Sequence, residues 1–151
     1  MDKPSFVYVT YIAATAEAVW NAIVDPKIAA PYWGNVNLSD WKIGSKWEHR
    51  ESDSKGQLRL VGNVVEVEPY TRLVMTWAFP EDANDIRKHS RVTFDIKPLD
   101  NVVRLTVTHV DLEAGSRMHD GISEGWPKVL SSMKSYLEHG EALFSAMSLG
   151  R

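Results

Sequence analysis

The residues of this chain whose types and spacing could do chemistry lie on segments that alternate like strands. Val103, Leu105 and Val107 alternate with Arg104, Thr106 and Thr108, so the apolar row faces inward and His109 continues it. Val92, Phe94 and Ile96 alternate with Arg91, Thr93 and Asp95, which brings Ser90 to the same side. Leu73, Met75, Trp77 and Phe79 form a third inward row, and Phe6, Tyr8, Thr10 and Ile12 a fourth. Trp47, His49 and Glu51 share one face of a fifth segment. Five polar side chains, Tyr8, Thr10, His49, Ser90 and His109, thus stand among Trp47, Met75, Trp77, Phe94 and Trp126. A few polar groups in an apolar, aromatic wall is how a small-molecule pocket is built. His109 fits two roles at this stage: a core histidine satisfied by hydrogen bonds, or a general acid/base in a cavity. The same choice holds for His49.

Other chemistries find no support. The chain has no cysteine, which removes disulfides, thiol catalysis and cysteine-ligated zinc. The glycines at 34, 44, 56 and 62 stand apart and make no phosphate loop. His109 and Asp111 share a strand face but supply at most two metal ligands. Nothing around Ser90 marks a nucleophile elbow. No metal or cofactor is expected, and catalytic residues stay unassigned. Against 17 Lys and Arg stand 20 Asp and Glu, a formal charge of −3, with no basic run. That argues against nucleic acid and against a polybasic membrane surface. No segment approaches the ~18 apolar residues of a membrane span, and the first residues do not read as a signal sequence; a cytoplasmic protein is expected. No inward Lys or Arg is predicted either. The pocket should therefore be near neutral, with any anionic head group left at its mouth.

Several elements must position these groups. Phe6 to Ile12 is β-branched and aromatic, a first strand. Thr15 caps a helix predicted over 16–24, with Glu17 in its first turn. Asp25 and Pro26 end it, and Pro26, placed where a first-turn proline is tolerated, allows a second short helix over about 27–33, kept brief or bent by Pro31. Strands follow over 36–39, 46–51, 58–67, 73–79, 89–97 and 102–112, with Gly62 read as a bulge or bend. The polar run 80–88 reads as a solvated loop. Trp126, Val129, Leu130, Met133, Tyr136 and Leu137 form one helical stripe, placing a long helix over about 116–138. Pro127 is its weak point, so the helix is expected to begin properly near Gly125. Leu143, Phe144 and Met147 suggest a further amphipathic piece over 140–149. Six Trp in 151 residues fit either core packing or an aromatic cavity wall. The fold class is α+β. A six- to seven-stranded antiparallel sheet is covered by the one long helix, in a single domain with its core over about 5–138. The loop 80–88 and the short helices are expected to flank the cavity entrance.

Taken in order, these residues resemble the activator-of-heat-shock-ATPase homologue-like branch of the SRPBCC (START-like, helix-grip) superfamily. The resemblance runs from about Phe6 to Glu138. It is carried by Ala16 to Ile23, by Trp41-Lys42-Ile43-Gly44-Ser45-Lys46-Trp47, and by Gly62 to Pro69 leading into Arg72 to Trp77. Leu105 to His109 and Gly125-Trp126 complete it. It implies a curved sheet gripping a C-terminal helix around an internal cavity. Members of that superfamily bind lipids, sterols, hormones or polyketides, and some catalyse cyclisation or hydrolysis. The leading expectation is binding of a small apolar or amphipathic molecule by Tyr8, Trp47, His49, Met75, Trp77, Ser90, Phe94, His109 and Trp126. The alternatives are a cyclase- or hydrolase-like enzyme with His109 as acid/base, and a chaperone-cofactor or partner-binding module, a second copy of the chain (a homodimer) included.

Overall fold

The structure is a computed structural model and describes residues 3–144. Strand β1 (Phe6–Ile12) is followed by α1 (Ala16–Val24) and α2 (Pro26–Trp33). The expected signals act at these helix ends. Thr15 accepts a hydrogen bond from the Ala18 amide at 3.1 Å, and Asp25 caps α2 through the Lys27 amide at 2.9 Å. Gly34 closes α2 in the left-handed conformation at φ 77°. Strands β2 (Asn35–Leu38), β3 (Lys46–Glu51), β4 (Leu58–Glu68), β5 (Arg72–Trp77), β6 (Ser90–Pro98) and β7 (Val103–Val110) follow, then α3 (Arg117–His139). Two single 3-10 turns, Pro80–Asp82 and Ile86–Lys88, occupy the run between β5 and β6.

The seven strands form one antiparallel sheet in the order β1-β7-β6-β5-β4-β3-β2, so β1 and β2 are its edges. The sheet curls around α3 in the helix-grip arrangement. The inward row of β1, Phe6, Tyr8, Thr10 and Ile12, is more buried than Val7, Val9 and Tyr11 on its other side. Val103, Leu105, Val107 and His109 are buried on β7, facing the same core as Val92, Phe94 and Ile96 of β6. Against them α3 buries Ile122, Trp126, Val129, Leu130, Ser132 and Met133.

Three local expectations need correction. The long helix does not wait for Gly125: it runs unbroken from Arg117 through Pro127, whose only local loss is the amide that would have reached Ser123. Packing of Met118 and Ile122 against the core holds that first stretch in place. Gly62 is not a bulge. It pairs in register with Trp47, and the shifts lie instead at His49/Arg50 opposite Leu58–Leu60 and at Val64/Glu66. A Cβ at Gly62 would overlap the Thr76 carbonyl oxygen and the Trp47 indole nitrogen, because that indole crosses over the glycine to donate to the Thr76 carbonyl at 2.7 Å. The helix ends at Gly140, and residues 141–144 are not helical. There the Leu143 amide donates to Ser132 Oγ at 3.2 Å, and Leu143 itself is exposed. Met147 lies outside the described residues.

Candidate functional site

Between β3, β4, the Pro80–Asp82 turn and the first half of α3 lies a solvent-open cavity of about 650 Å³. Its aromatic wall is continuous. Trp33, at the end of α2, lies 4.9 Å from the His49 ring and 6.1 Å from Trp126, while Trp77 lies 5.4 Å from Trp126. Leu58, Leu60, Met118, Ile122 and Val129 complete the apolar lining. Helix α3 turns Met118, Ile122 and Trp126 toward the space, and among them Gly121 and Gly125, four residues apart, leave a gap in the side-chain cover: both line the cavity, and a Cβ at either would meet nothing within 4 Å. Of the expected entrance, Pro80 and Glu81 stand at the cavity, whereas α1 contributes no lining residue.

Among the residues singled out in the sequence, His49, Trp77 and Trp126 line this cavity. Trp47 packs behind Trp77 with the rings tilted by 39° and their centroids 4.9 Å apart, and Phe94 packs edge-on to Trp126 at 5.7 Å. Met75 is fully buried in the core, and Tyr8 is half-buried on the inward face of β1; neither reaches the cavity wall. Ser90 and His109 are buried side by side behind Trp77 and Trp126.

The hydrogen bonds fix the tautomers of both inward histidines. An indole N–H only donates and a carbonyl only accepts. Trp126 Nε1 lies 3.1 Å from His109 Nδ1, so that nitrogen is the acceptor and the proton sits on Nε2. Nε2–H then donates to Ser90 Oγ at 2.7 Å, and the Ser90 hydroxyl donates to the Trp77 carbonyl at 3.0 Å. Each polar side-chain atom in this Trp126–His109–Ser90 row has a partner, and His109 has no accessible surface. Burial pushes its pKa down to about 3, so it stays neutral. The arrangement orients Trp126 and leaves His109 no lone pair with which to take a proton from a ligand.

His49 is the reverse case. The Asn37 amide nitrogen donates to the Ile23 carbonyl at 3.0 Å, which turns Asn37 Oδ1 toward His49 Nδ1 at 2.7 Å. Nδ1 therefore carries the proton, and Nε2 keeps a lone pair that no hydrogen bond among the described residues uses. Burial, with a smaller contribution from the nearby Arg59 guanidinium, pushes this histidine also to about 3. Two further polar atoms on cavity-lining residues lack a protein partner, Trp77 Nε1 and Asn35 Oδ1.

The cavity is not neutral. Arg59, Arg117 and Glu81 all line it. Arg117 lies over the Phe79 ring at 3.7 Å and reaches Glu81 at 3.5 Å. Arg59 is brought inward by the β3–β4 bulge, where Leu58, Arg59 and Leu60 stand opposite only Arg50 and His49. The expectation of no inward cation fails here because strict alternation through β4 would send Arg59 to the other face. Trp33 and Asn35, from the α2–β2 junction, were equally invisible to strand alternation. Arg117, Gly121 and Gly125 were legible in principle, since they follow helical i, i+4 spacing ahead of the Trp126 stripe. No group of three or more His, Asp or Glu side chains among the described residues could hold a metal ion. No described helix is long and apolar enough to cross a membrane.

Comparison with known proteins places this geometry. Among curated proteins no sequence match is found. Solved structures similar to this chain include a protein from Mesorhizobium loti, 23% identical, with TM-score 0.71 over 89% of this chain and 96% of that one. The Aha1 dimer from Colwellia psychrerythraea is 18% identical with TM-score 0.74, over 92% and 99% of the two chains. An HSP90 activator from Plasmodium falciparum is 22% identical with TM-score 0.71, over 88% and 95%. At these identities the likeness shows the fold. The family model described as "Activator of Hsp90 ATPase homolog 1-like protein" matches residues 13–138, most of the chain, and the protein therefore belongs to that family, a branch of the SRPBCC (START-like, helix-grip) superfamily.

Proposed function

We propose that this protein binds a small apolar or amphipathic molecule in the cavity between its sheet and α3, acting in the cytoplasm. The observation that carries the reading is the gap that Gly121 and Gly125 leave on the cavity side of α3. Glycine in a helix interior costs about 1 kcal/mol relative to alanine, yet α3 has two glycines where it borders the cavity and neither is forced by a close neighbour. Beside them on α3 stands Trp126, and across the cavity stand Trp33, Trp77 and the His49 lone pair, an apolar wall with a polar atom to fix orientation. A volume of about 650 Å³ lies within the range of small-molecule sites.

The test is a native mass spectrum of the purified protein, followed by solvent extraction and identification of what is released. A stoichiometric small molecule supports the reading. A clean apo mass, together with no binder in a broad screen followed by tryptophan fluorescence, overturns it. The acid/base role for His109 is the weaker enzyme reading, since both its nitrogens are engaged within the core.

A second reading, association with another protein chain, is favoured by the outward side of edge strand β1. Val7, Val9 and Tyr11 there are 58%, 48% and 49% exposed. A folded, strictly monomeric protein in light scattering would remove self-association; failure to alter the ATPase of an added Hsp90 would remove the chaperone form of this reading.

A further inference from the structure

The charge inside the cavity points to the ligand's class. Arg59 is half-buried in a wall that otherwise presents Trp33, Trp77, Trp126 and aliphatic side chains. No ion pair to it is formed among the described residues. Glu81, the one carboxylate lining the cavity, is engaged by Arg117. His49 beside it is neutral with a bare acceptor nitrogen, so it cannot offset the guanidinium. A half-buried guanidinium set beside apolar lining, with no anion on it among the described residues, is a ready partner for a bound carboxylate. The planar fork of arginine suits that group in a two-point contact. The same charge repels a cationic ligand. The wall also supplies one unpartnered donor, Trp77 Nε1, and two acceptors, His49 Nε2 and Asn35 Oδ1, for secondary polar substituents.

We infer that the cavity takes an apolar carboxylic acid whose carboxylate sits inside it on the Arg59 guanidinium, not at the mouth. The inference rests on the cavity-binding reading above and adds the chemical class and the residue that selects it. The aromatic wall suits a flat ring system and the aliphatic side chains suit an acyl chain, so the head group is what the two sources share.

The experiment is calorimetric titration of the full chain with two acids, 2-naphthoate and decanoate, each against its own primary amide. The amide keeps the shape and removes the charge. The expected result is that at least one acid binds about tenfold or more tightly than its amide, the value of a charge-assisted bond made in a partly dry site. Arg59→Gln is expected to abolish that preference, and Arg59→Lys to retain part of it. Which acid binds more tightly separates an aromatic from an aliphatic ligand. Equal affinities for acid and amide in the natural sequence overturn the inference, as does a preference that survives Arg59→Gln in a folded variant. Because the acid–amide comparison needs no substitution, it decides the matter even where a variant fails to fold. If neither acids nor amides bind, the inference falls, and the cavity reading is decided separately by the native mass spectrum and the broad screen; binding of amides and acids alike leaves that reading standing and removes only the acid.

Discussion

Three buried histidines differ in what their second nitrogen meets, and this difference assigns their roles. His109 is closed between Trp126 and Ser90. His89 accepts from Thr76 Oγ1 at 3.0 Å and donates through Nε2 to the carbonyls of Asp82 and Ala83, which pins the loop before β6. His49 alone keeps a lone pair toward the cavity. His49 and His109 also link stability to pH. Their folded pKa values of about 3 lie below the ordinary 6.5, so above pH 6.5 both states are unprotonated there and neither residue contributes. Between 6.5 and 3 the unfolded chain takes up protons that the folded one does not, and stability falls as pH falls. The limiting slope is about 1.4 kcal/mol per pH unit for each histidine. Urea unfolding at steps from pH 7.5 to 4.5 measures it; a flat midpoint across that span would sink the claim. At the same scale, Gly62→Ala is expected to destabilise by about 3 kcal/mol, because the new methyl overlaps the Thr76 carbonyl first and the Trp47 indole next, so the β5 backbone and the indole must both move. An unchanged urea midpoint would show that this crossing is dispensable.

Strands and helices were the most legible level, because their signals are local. Thr15, Asp25 and Pro26 act at the helix ends where they are expected, Gly34 adds an unforeseen left-handed stop to α2, and both short helices lie within a residue or so of expectation. The two bulges in β4 were not legible, since nothing in Leu58-Arg59-Leu60 distinguishes a shifted register from plain alternation. Pro127 does not delay the helix, because the tertiary packing of Met118, Ile122 and Trp126, which no local signal shows, holds α3 across it. Helix α3 carries a prediction of its own. Gly121→Ala and Gly125→Ala should each raise stability by about 1 kcal/mol, as neither Cβ meets a neighbour within 4 Å. Thermal unfolding checks this, and a loss of stability in either variant would mean that the glycine is needed for the helix's own geometry.

For the molecule as a whole, the cavity exists because a curled sheet and a helix with a gap in its side-chain cover do not fill the volume between them. Gly125→Leu should occupy that space and abolish binding of any cavity ligand while the protein stays folded; retained affinity in a folded variant would place the ligand elsewhere. The sequence by itself determined the order of elements, the inward rows of β1, β6 and β7, and the α3 stripe from Trp126 to Leu137, because each follows from a period of two or of 3.6 residues within one segment. It also carried the family resemblance. Only the tertiary structure decided which inward groups meet the cavity. His49, Trp77 and Trp126 reach it, His109 and Ser90 stand behind it, and Met75 and Tyr8 do not reach it. Alternation separates inside from outside, but whether an inward side chain packs against another or against a void depends on how the sheet curls and where α3 crosses it. The entry of Arg59 into the wall is likewise a property of register between two strands. That register is set by hydrogen bonds between β3 and β4, not by the residues of either strand read alone.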